Sequence, residues 1–255
     1  MQLNREDPTA SDRWLSEYNM SNEQRGYAYI FNHENFDDKN LSRRDGTNAD
    51  VENLKHSLDL LGFKVEVFND LNHNELQDKM DHLALKDHTN NDCVLIVILS
   101  HGKNGYVYAK DETCELASIF SSFKEDRAPT LFGKPKLFFI QSCQGNKSDS
   151  GITLMKEIET DNNESLCSLT PNEQDFLIVY STIPEYLSWR NRYNGSWFIQ
   201  ALCEEINTNR NNYDILALLT FVIQRVAYNF EKDKKKQIPC ISSMLTRILT
   251  FKDNK

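Results

Sequence analysis

Apolar residues along the chain form short continuous runs, separated by longer segments in which they recur at helical spacing. Short apolar runs predict β-strands, and residues 93–99 are apolar throughout. Such an uninterrupted run is typical of a strand that is buried on both faces of a parallel sheet. The predicted strands are residues 27–31, 63–68, 93–99, 136–140 and 175–180.

The segments between these runs have apolar residues at intervals of three and four, which predicts amphipathic helices. Thr47 precedes the first helix and is predicted to cap it. The pattern of residues 241–251 fits either a terminal strand or a helix. The alternation of strands and helices predicts an α/β fold in three layers, with helices on both faces of a mostly parallel central sheet. The predicted helices are residues 51–61, 71–83, 196–206 and 215–230.

One polar segment interrupts this alternation. Residues 146–174 are rich in Asn, Asp, Ser and Glu and show little apolar periodicity. A polar stretch of this length inside a compact domain is uncommon unless it is a functional or disordered loop. It divides the chain into a longer front part and a shorter back part.

The charge balance excludes some classes of partner. The chain has 29 basic and 38 acidic residues, a net charge of −9, which disfavours binding to nucleic acid or to an anionic membrane surface. Its longest apolar run is far shorter than the roughly 20 residues of a membrane span, and its first residues lack the apolar core of a signal peptide. We therefore expect a cytoplasmic protein with no nucleic-acid or membrane partner.

The six cysteines are dispersed and form no CxxC pair. This pattern disfavours a zinc ribbon or a thioredoxin-type site, so we expect no bound metal. Dispersed cysteines without a secretory signal fit a reducing compartment better than a disulfide framework.

Two predicted strands end in residues with catalytic chemistry. The first is followed by His101 and Gly102, the second by Cys143 and Gly145. Because parallel strands place their carboxyl ends at one edge of the sheet, the imidazole and the thiol should meet there. An imidazole can deprotonate a thiol, which then acts as a nucleophile. Taken singly, each residue is more simply a buried packing cysteine or a structural histidine, but the pairing favours catalysis.

At these residues the sequence resembles the caspase family, and it is most similar to insect effector caspases. The pentapeptide 141–145 (Gln-Ser-Cys-Gln-Gly) matches the family motif except at Ser142, where alanine is usual. The resemblance covers nearly the whole chain from about residue 18. It also includes residues 44–47 (Arg-Asp-Gly-Thr), 99–102 (Leu-Ser-His-Gly), 133–136 (Gly-Lys-Pro-Lys), 188–191 (Ser-Trp-Arg-Asn), 195–198 (Gly-Ser-Trp-Phe) and 236–240 (Lys-Gln-Ile-Pro-Cys).

The resemblance implies a caspase-like three-layer fold, no cofactor, and an endopeptidase that cleaves after aspartate. It assigns Cys143 as the nucleophile and His101 as the general acid and base, with the N–H groups of Gly102 and Cys143 binding the oxyanion. The family's pocket for the substrate aspartate matches three residues of this chain: Arg44, Gln141 and Arg190. Planar guanidinium groups suit one carboxylate because they bind it with two parallel hydrogen bonds.

The resemblance also implies how the peptide is bound. Ser188 and Trp189 match backbone positions that pair with an extended substrate, and Trp189 and Trp197 match pocket-lining positions, although each tryptophan alone is as readily a core residue. Leu187 stands where an aromatic residue is common in the family, and the loop 230–237 is short. Both departures should alter the preference for residues upstream of the aspartate.

The same resemblance predicts a zymogen activated by cleavage after Asp161, with Asp12 as a weaker trimming site. Residues 1–25 would then be a short pro-peptide, 26–161 the large-subunit part, 162–174 the linker and 175–255 the small-subunit part. The implied partners are a second copy joined through residues 241–248, an upstream initiator caspase, and inhibitor-of-apoptosis proteins.

Two alternatives stay open at this point. The chain is either an active executioner caspase of apoptosis or a non-catalytic homologue that acts as a dimerisation partner or decoy, for which Ser142 is the one supporting residue. A related cysteine protease that cuts after basic residues is disfavoured by Arg44 and Arg190, which would repel a basic side chain.

Overall fold

The computed structural model describes residues 16–145, 174–183, 185–231 and 234–252. In the front part the elements are β1 (Gln24–Asn32), α1 (Thr47–Leu60), β2 (Lys64–Asn69), α2 (His73–Ala84), β3 (Asn91–Leu99), β4 (Gly102–Lys103), β5 (Tyr106–Tyr108), β6 (Thr113–Glu115), α3 (Leu116–Ser122), a 3₁₀ turn (Pro129–Leu131) and β7 (Lys136–Gln141). In the back part they are β8 (Phe176–Tyr180), β9 (Arg190–Asn191), β10 (Gly195–Ser196), α4 (Trp197–Asn209), α5 (Ile215–Asn229) and β11 (Cys240–Ser243).

A six-stranded sheet in the order β11-β8-β7-β3-β1-β2 forms the middle layer. Its strands are parallel except β11, which runs antiparallel to β8 at one edge. The mostly parallel sheet is as predicted. Residues 241–251, whose pattern fits either a strand or a helix, begin in the strand β11 and continue without a helix.

Two apolar cores lie on the two faces of this sheet. The nine residues of β3 are all buried, and their side chains alternate between the faces. Leu95, Val97 and Leu99 join the core packed by α1, α4 and α5. Val94, Ile96 and Ile98 join the core packed by α2 and α3. The continuous apolar run thus reflects burial on both faces, because successive side chains of a strand point in opposite directions.

The start of α1 differs from the prediction. Thr47 is the first helical residue and Gly46 precedes it with φ 87°, so Thr47 does not cap the helix. The Thr47 hydroxyl instead donates to the side-chain carbonyl of Asn32 at 2.6 Å and accepts from Arg44 at 2.8 Å. A side chain at position 46 would bring its Cβ to 2.5 Å from the carbonyl oxygen of Asn191, so this tight turn requires glycine.

Candidate active site

The thiol of Cys143 lies two residues beyond the end of β7 and is half-buried. Its Sγ accepts from the backbone N–H of Ser188 at 3.4 Å and lies 3.7 Å from the Ser188 carbonyl oxygen. Gly102 packs directly against the same segment, because a Cβ at position 102 would come within 2.7 Å of the Cys143 carbonyl oxygen. The two predicted strand ends therefore touch, and Ser188, in the segment expected to bind substrate, also contacts the thiol.

His101 occupies the equivalent position on the neighbouring strand. Leu99 and Gln141 are paired at the ends of β3 and β7, so His101 and Cys143 each lie two residues past that pair. The ring packs on Phe36, with 4.9 Å between ring centroids. Its Nε2 lies 2.8 Å from the backbone carbonyl oxygen of Ser42. A carbonyl only accepts hydrogen bonds, so Nε2 carries a proton and Nδ1 is left as the nitrogen that can accept one.

The surroundings of His101 keep its imidazole neutral near pH 7. Partial burial lowers the pKa of His101 below its ordinary value, and the positive charges of Arg44 and Arg190 lower it further, against the opposing effect of the Ser42 hydrogen bond. Neutral imidazole is the form that accepts a proton from a thiol. The same two arginines are attracted to a negative charge on Cys143.

Arg44 is 1% exposed, and its guanidinium is only partly satisfied. Nη1 donates to the His33 carbonyl at 3.0 Å and to the Thr47 hydroxyl at 2.8 Å. Nε and Nη2 have no hydrogen-bond partner among the described residues. Burial, followed by the repulsion of Arg190, lowers the pKa of Arg44 to about 9, so the group stays cationic at neutral pH. Buried donors without partners are costly, and a bound carboxylate would satisfy them.

Arg190 lies close enough to Arg44 for their charges to interact, and Gln141, at the end of β7, contacts Ser188. Arg190 donates from Nε to the Asp45 carbonyl at 2.9 Å. Gln141 donates from Nε2 to the Ser188 hydroxyl at 2.8 Å, and its Oε1 has no partner among the residues described. A cavity of about 530 Å³ is lined by Arg190 and by Ser42 and Asp45, among others. Ser42, whose carbonyl contacts His101, and Arg190, which is expected to bind substrate, therefore border the same cavity.

Asp50, in the first turn of α1, places a negative charge behind the arginines. Its carboxylate accepts from the backbone N–H of Ser196 at 2.7 Å and from the Ser196 hydroxyl at 2.6 Å. Burial raises the pKa of Asp50, while these hydrogen bonds and the charges of Arg44 and Arg190 oppose the rise. A buried carboxyl group thus interacts with both arginines, and the sequence pattern did not reveal it.

Comparisons with known proteins agree with this geometry. The family model described as the caspase domain matches residues 25–250. The chain belongs to the caspase family. The crystal structure of caspase-1 from Spodoptera frugiperda superposes with a TM-score of 0.85 and 45% identity, covering 100% of this chain and 99% of that one.

Curated relatives support the same assignment. Caspase-1 of Drosophila melanogaster is 51% identical over 95% of this chain and 78% of its own length. Caspase drICE of the same species is 48% identical over 95% of this chain and 74% of its own length. These similarities confirm the expected fold and the expected function, that of an apoptotic executioner caspase, which is a cysteine peptidase.

The aromatic residues expected to line substrate pockets form one stack. Trp189 and Trp197 are stacked with 5.8 Å between centroids, and Trp197 stacks on Phe230 at 5.6 Å. Trp197 is 8% exposed, so most of its ring packs in the interior. Trp189 and Leu187 are half-buried and therefore more accessible than Trp197.

Ser142 has a hydrogen-bond partner. Its hydroxyl accepts from Nε2 of Gln144 at 3.2 Å, and its backbone carbonyl accepts from the Ser181 hydroxyl at 3.0 Å. The turn that carries Cys143 therefore accommodates a serine. Ser142, the one residue that favoured a non-catalytic homologue, no longer supports that alternative.

Some expectations lie beyond the part of the chain that the structure describes. Asp12 and Asp161 both fall outside the described residues. Within the described ranges, no cluster of three or more His, Cys, Asp or Glu residues is arranged to hold a metal ion. None of the helices in those ranges has the length and apolar character needed to cross a membrane.

Proposed function

We propose that this caspase hydrolyses the peptide bond after aspartate with Cys143 as nucleophile and His101 as acid and base. The observation that carries the assignment is the buried Arg44 guanidinium, whose Nε and Nη2 lack partners in the described chain beside a thiol. Together with Arg190 and Gln141, it forms a pocket that a single carboxylate completes. A substrate without that carboxylate leaves buried donors unpaired and is rejected strongly.

The reaction follows from the tautomer that Ser42 imposes. Nδ1 of His101 takes the proton of the Cys143 thiol, and the thiolate attacks the backbone carbonyl carbon of the substrate aspartate. The N–H groups of Gly102 and Cys143 stabilise the oxyanion. The imidazolium then protonates the departing amine, which leaves an acyl-enzyme. Water, deprotonated by the same imidazole, releases the acid and restores the thiol.

The backbone of residues 188–190 supports binding of an extended peptide. The Trp189 N–H donates to Gln237 Oε1 at 2.7 Å, and its carbonyl accepts from the Trp197 N–H at 3.2 Å. Both groups of this residue thus face the protein interior, so Trp189 is not expected to pair its own backbone with substrate, contrary to what the resemblance implies. Neighbouring residues of an extended segment face the other way, and Ser188 does contact the thiol. This edge can therefore add a substrate strand, with Trp189, Trp197 and Leu187 shaping the upstream side-chain pockets.

The zymogen and partner assignments are part of the same proposal. Cleavage after Asp161 separates a large chain, 26–161, from a small one, 175–255, with 162–174 as the linker; Asp12 is a minor trimming site in residues 1–25. The edge position of β11 supports pairing with a second copy, because an edge strand offers unpaired backbone groups. We expect a cytoplasmic protein that is activated by an initiator caspase and bound by inhibitor-of-apoptosis proteins.

The catalytic assignment is tested by hydrolysis of a fluorogenic Ile-Glu-Thr-Asp peptide by linker-cleaved protein. We expect turnover by the wild type and a loss of at least about a thousandfold in Cys143→Ala. Ser142→Ala should differ little from wild type. Undiminished activity in Cys143→Ala, or an inactive wild type that Ser142→Ala activates, would overturn the proposal.

The activation assignment is tested by mass spectrometry of the protein after exposure to an active caspase. We expect a wild-type fragment that ends at Asp161 and an intact chain for Asp161→Ala. Two fragments still separating at that boundary in the variant would place the activating cut elsewhere.

A further inference from the structure

Gln237 lies outside the residues that the resemblance assigns to the site, yet it contacts two of the segments that build it. The residue is 2% exposed. Its Oε1 accepts from the backbone N–H of Trp189 at 2.7 Å, and its Nε2 donates to the carbonyl of Ser181 at 2.7 Å. Both ends of the amide are therefore engaged, one on the substrate-binding segment and one on the residue that follows β8.

Ser181 continues this connection to the catalytic turn. Its hydroxyl donates to the Ser142 carbonyl at 3.0 Å, directly before Cys143. The series of hydrogen bonds returns to the thiol, since the Ser188 N–H donates to Cys143 Sγ. A closed ring of contacts thus runs from the catalytic turn through Ser181, Gln237 and residues 188–189 back to the nucleophile.

The position requires a group that accepts and donates at once. Trp189 presents an N–H and Ser181 a carbonyl, so a neutral amide satisfies both, whereas a carboxylate would face the Ser181 oxygen with like charge. The nearby cations are engaged elsewhere: Lys236 pairs with Glu231 at 2.8 Å, and Lys235 lies over the Trp189 ring at 5.7 Å. Arg190 donates to the Asp45 carbonyl.

We propose that Gln237 is a positioning residue that holds the substrate-binding segment 188–190 at the distance from Cys143 that a peptide strand requires. It touches no reacting atom and acts through Trp189, whose inward-facing N–H it binds. The inference rests on the proposed pairing of substrate with residues 188–190. It assigns a function to the 236–240 motif, which the catalytic assignment left unused.

The experiment compares linker-cleaved wild type, Gln237→Ala and Gln237→Glu with Gln77→Ala as a matched control. Gln77 also uses its amide in a half-buried side-chain bond, to Ser122 at 3.2 Å, but lies on α2, away from the site. We expect KM for the tetrapeptide to rise about tenfold in Gln237→Ala with kcat changed less than threefold, since weaker binding of ground and transition states alike raises KM alone. Gln77→Ala should leave both constants within twofold of wild type.

Gln237→Glu supplies a second readout that does not depend on the alanine variant folding. Burial favours the protonated carboxyl, which can still donate to Ser181 and accept from Trp189. The ratio of its kcat/KM to that of wild type should therefore fall as pH rises from 5.5 to 8. A folded Gln237→Ala with wild-type KM, or a pH-independent ratio for Gln237→Glu, overturns the inference. Failure of the proposed function is seen separately, as an inactive wild type.

Discussion

The body of β3 and the carboxyl edge of the same sheet are both buried, but they are buried in different ways. Every side chain of β3 from Val94 to Leu99 is apolar and packs into one of two cores. At the edge, Arg44, Gln141 and His33 are equally buried but polar, and each has nitrogen or oxygen atoms without a partner among the described residues. Burial of apolar groups stabilises the fold, whereas burial of unpaired polar groups opposes it.

This contrast suggests that the apolar residues of β3 stabilise the fold, whereas the buried polar residues at the sheet edge serve the proposed function. Truncating an apolar residue of β3 should cost about 2–5 kcal/mol of stability because a cavity remains. Changing a polar group at the edge should instead remove function while costing the fold little, since that group is imperfectly paired in the absence of substrate. The following predictions test this separation.

The largest effect is expected for Arg44→Gln. Loss of the guanidinium leaves the substrate carboxylate buried without its donors, so kcat/KM for an Asp peptide should fall about a thousandfold or more. Steady-state kinetics and urea unfolding are to be measured on the same preparation. Aspartate preference retained at near wild-type efficiency would show that the pocket lies elsewhere.

A smaller effect, on stability, is expected for His33→Phe. Burial, only partly offset by Asp70 and reinforced by Arg44, lowers the pKa of His33 to about 4. Between pH 6.5 and 4, His33 is protonated in the unfolded chain but stays neutral in the folded chain. The free energy of unfolding therefore falls as pH drops through this interval, by up to about 3 kcal/mol from this residue. Phenylalanine removes this contribution without breaking a hydrogen bond to either ring nitrogen.

Urea unfolding of wild type and His33→Phe at pH 6.5 and 4.5 measures this effect. We expect the variant to lose clearly less stability over that interval than the wild type does. Equal pH dependence in the two proteins would mean that His33 is protonated, or solvated, in the folded state.

The smallest effect is expected on the ionisation of His101. Its pKa lies below the ordinary value through burial first and the two arginines second. In a Cys143→Ala background, which isolates the imidazole, Arg190→Gln should raise the pKa of His101 because one of the positive charges that lower it is removed. An NMR titration of the imidazole measures the shift. A lower or unchanged pKa in the Arg190 variant would place that guanidinium too far away to act on the ring.

The long strands and helices of this protein can be predicted from its sequence, because their burial requires continuous apolar runs or apolar residues at helical spacing. The run 93–99 predicts β3, observed as Asn91–Leu99. The two strand ends predicted to meet do lie side by side, since Gly102 packs against the Cys143 carbonyl. The strands β4, β5, β6, β9 and β10 contain two or three residues each, too few to show any periodicity. The residue type of Thr47 predicts a helix cap, but Gly46 occupies that position and Thr47 is the first helical residue.

The missed parts of the site have a common cause. Ser42 acts through its backbone carbonyl, which every residue possesses, so no side-chain pattern marks it. Asp50 and Gln237 act through contacts with residues distant in sequence, Ser196 and Trp189. The motif at 236–240 was visible, but its role emerged only when the fold placed its glutamine behind the substrate-binding segment.

The central claim, that one thiol and one carboxylate pocket form a single site, is tested most directly by covalent trapping. Linker-cleaved protein is treated with a tetrapeptide chloromethyl ketone ending in Asp or with its Asn counterpart, and the adduct is located by mass spectrometry. Burial raises the pKa of Cys114 to about 11 and that of Cys203 to about 12, so neither should compete. The account predicts one adduct, on Cys143, formed at least about a hundredfold faster with Asp. Equal rates for the two peptides, or labelling of a different cysteine, would contradict it.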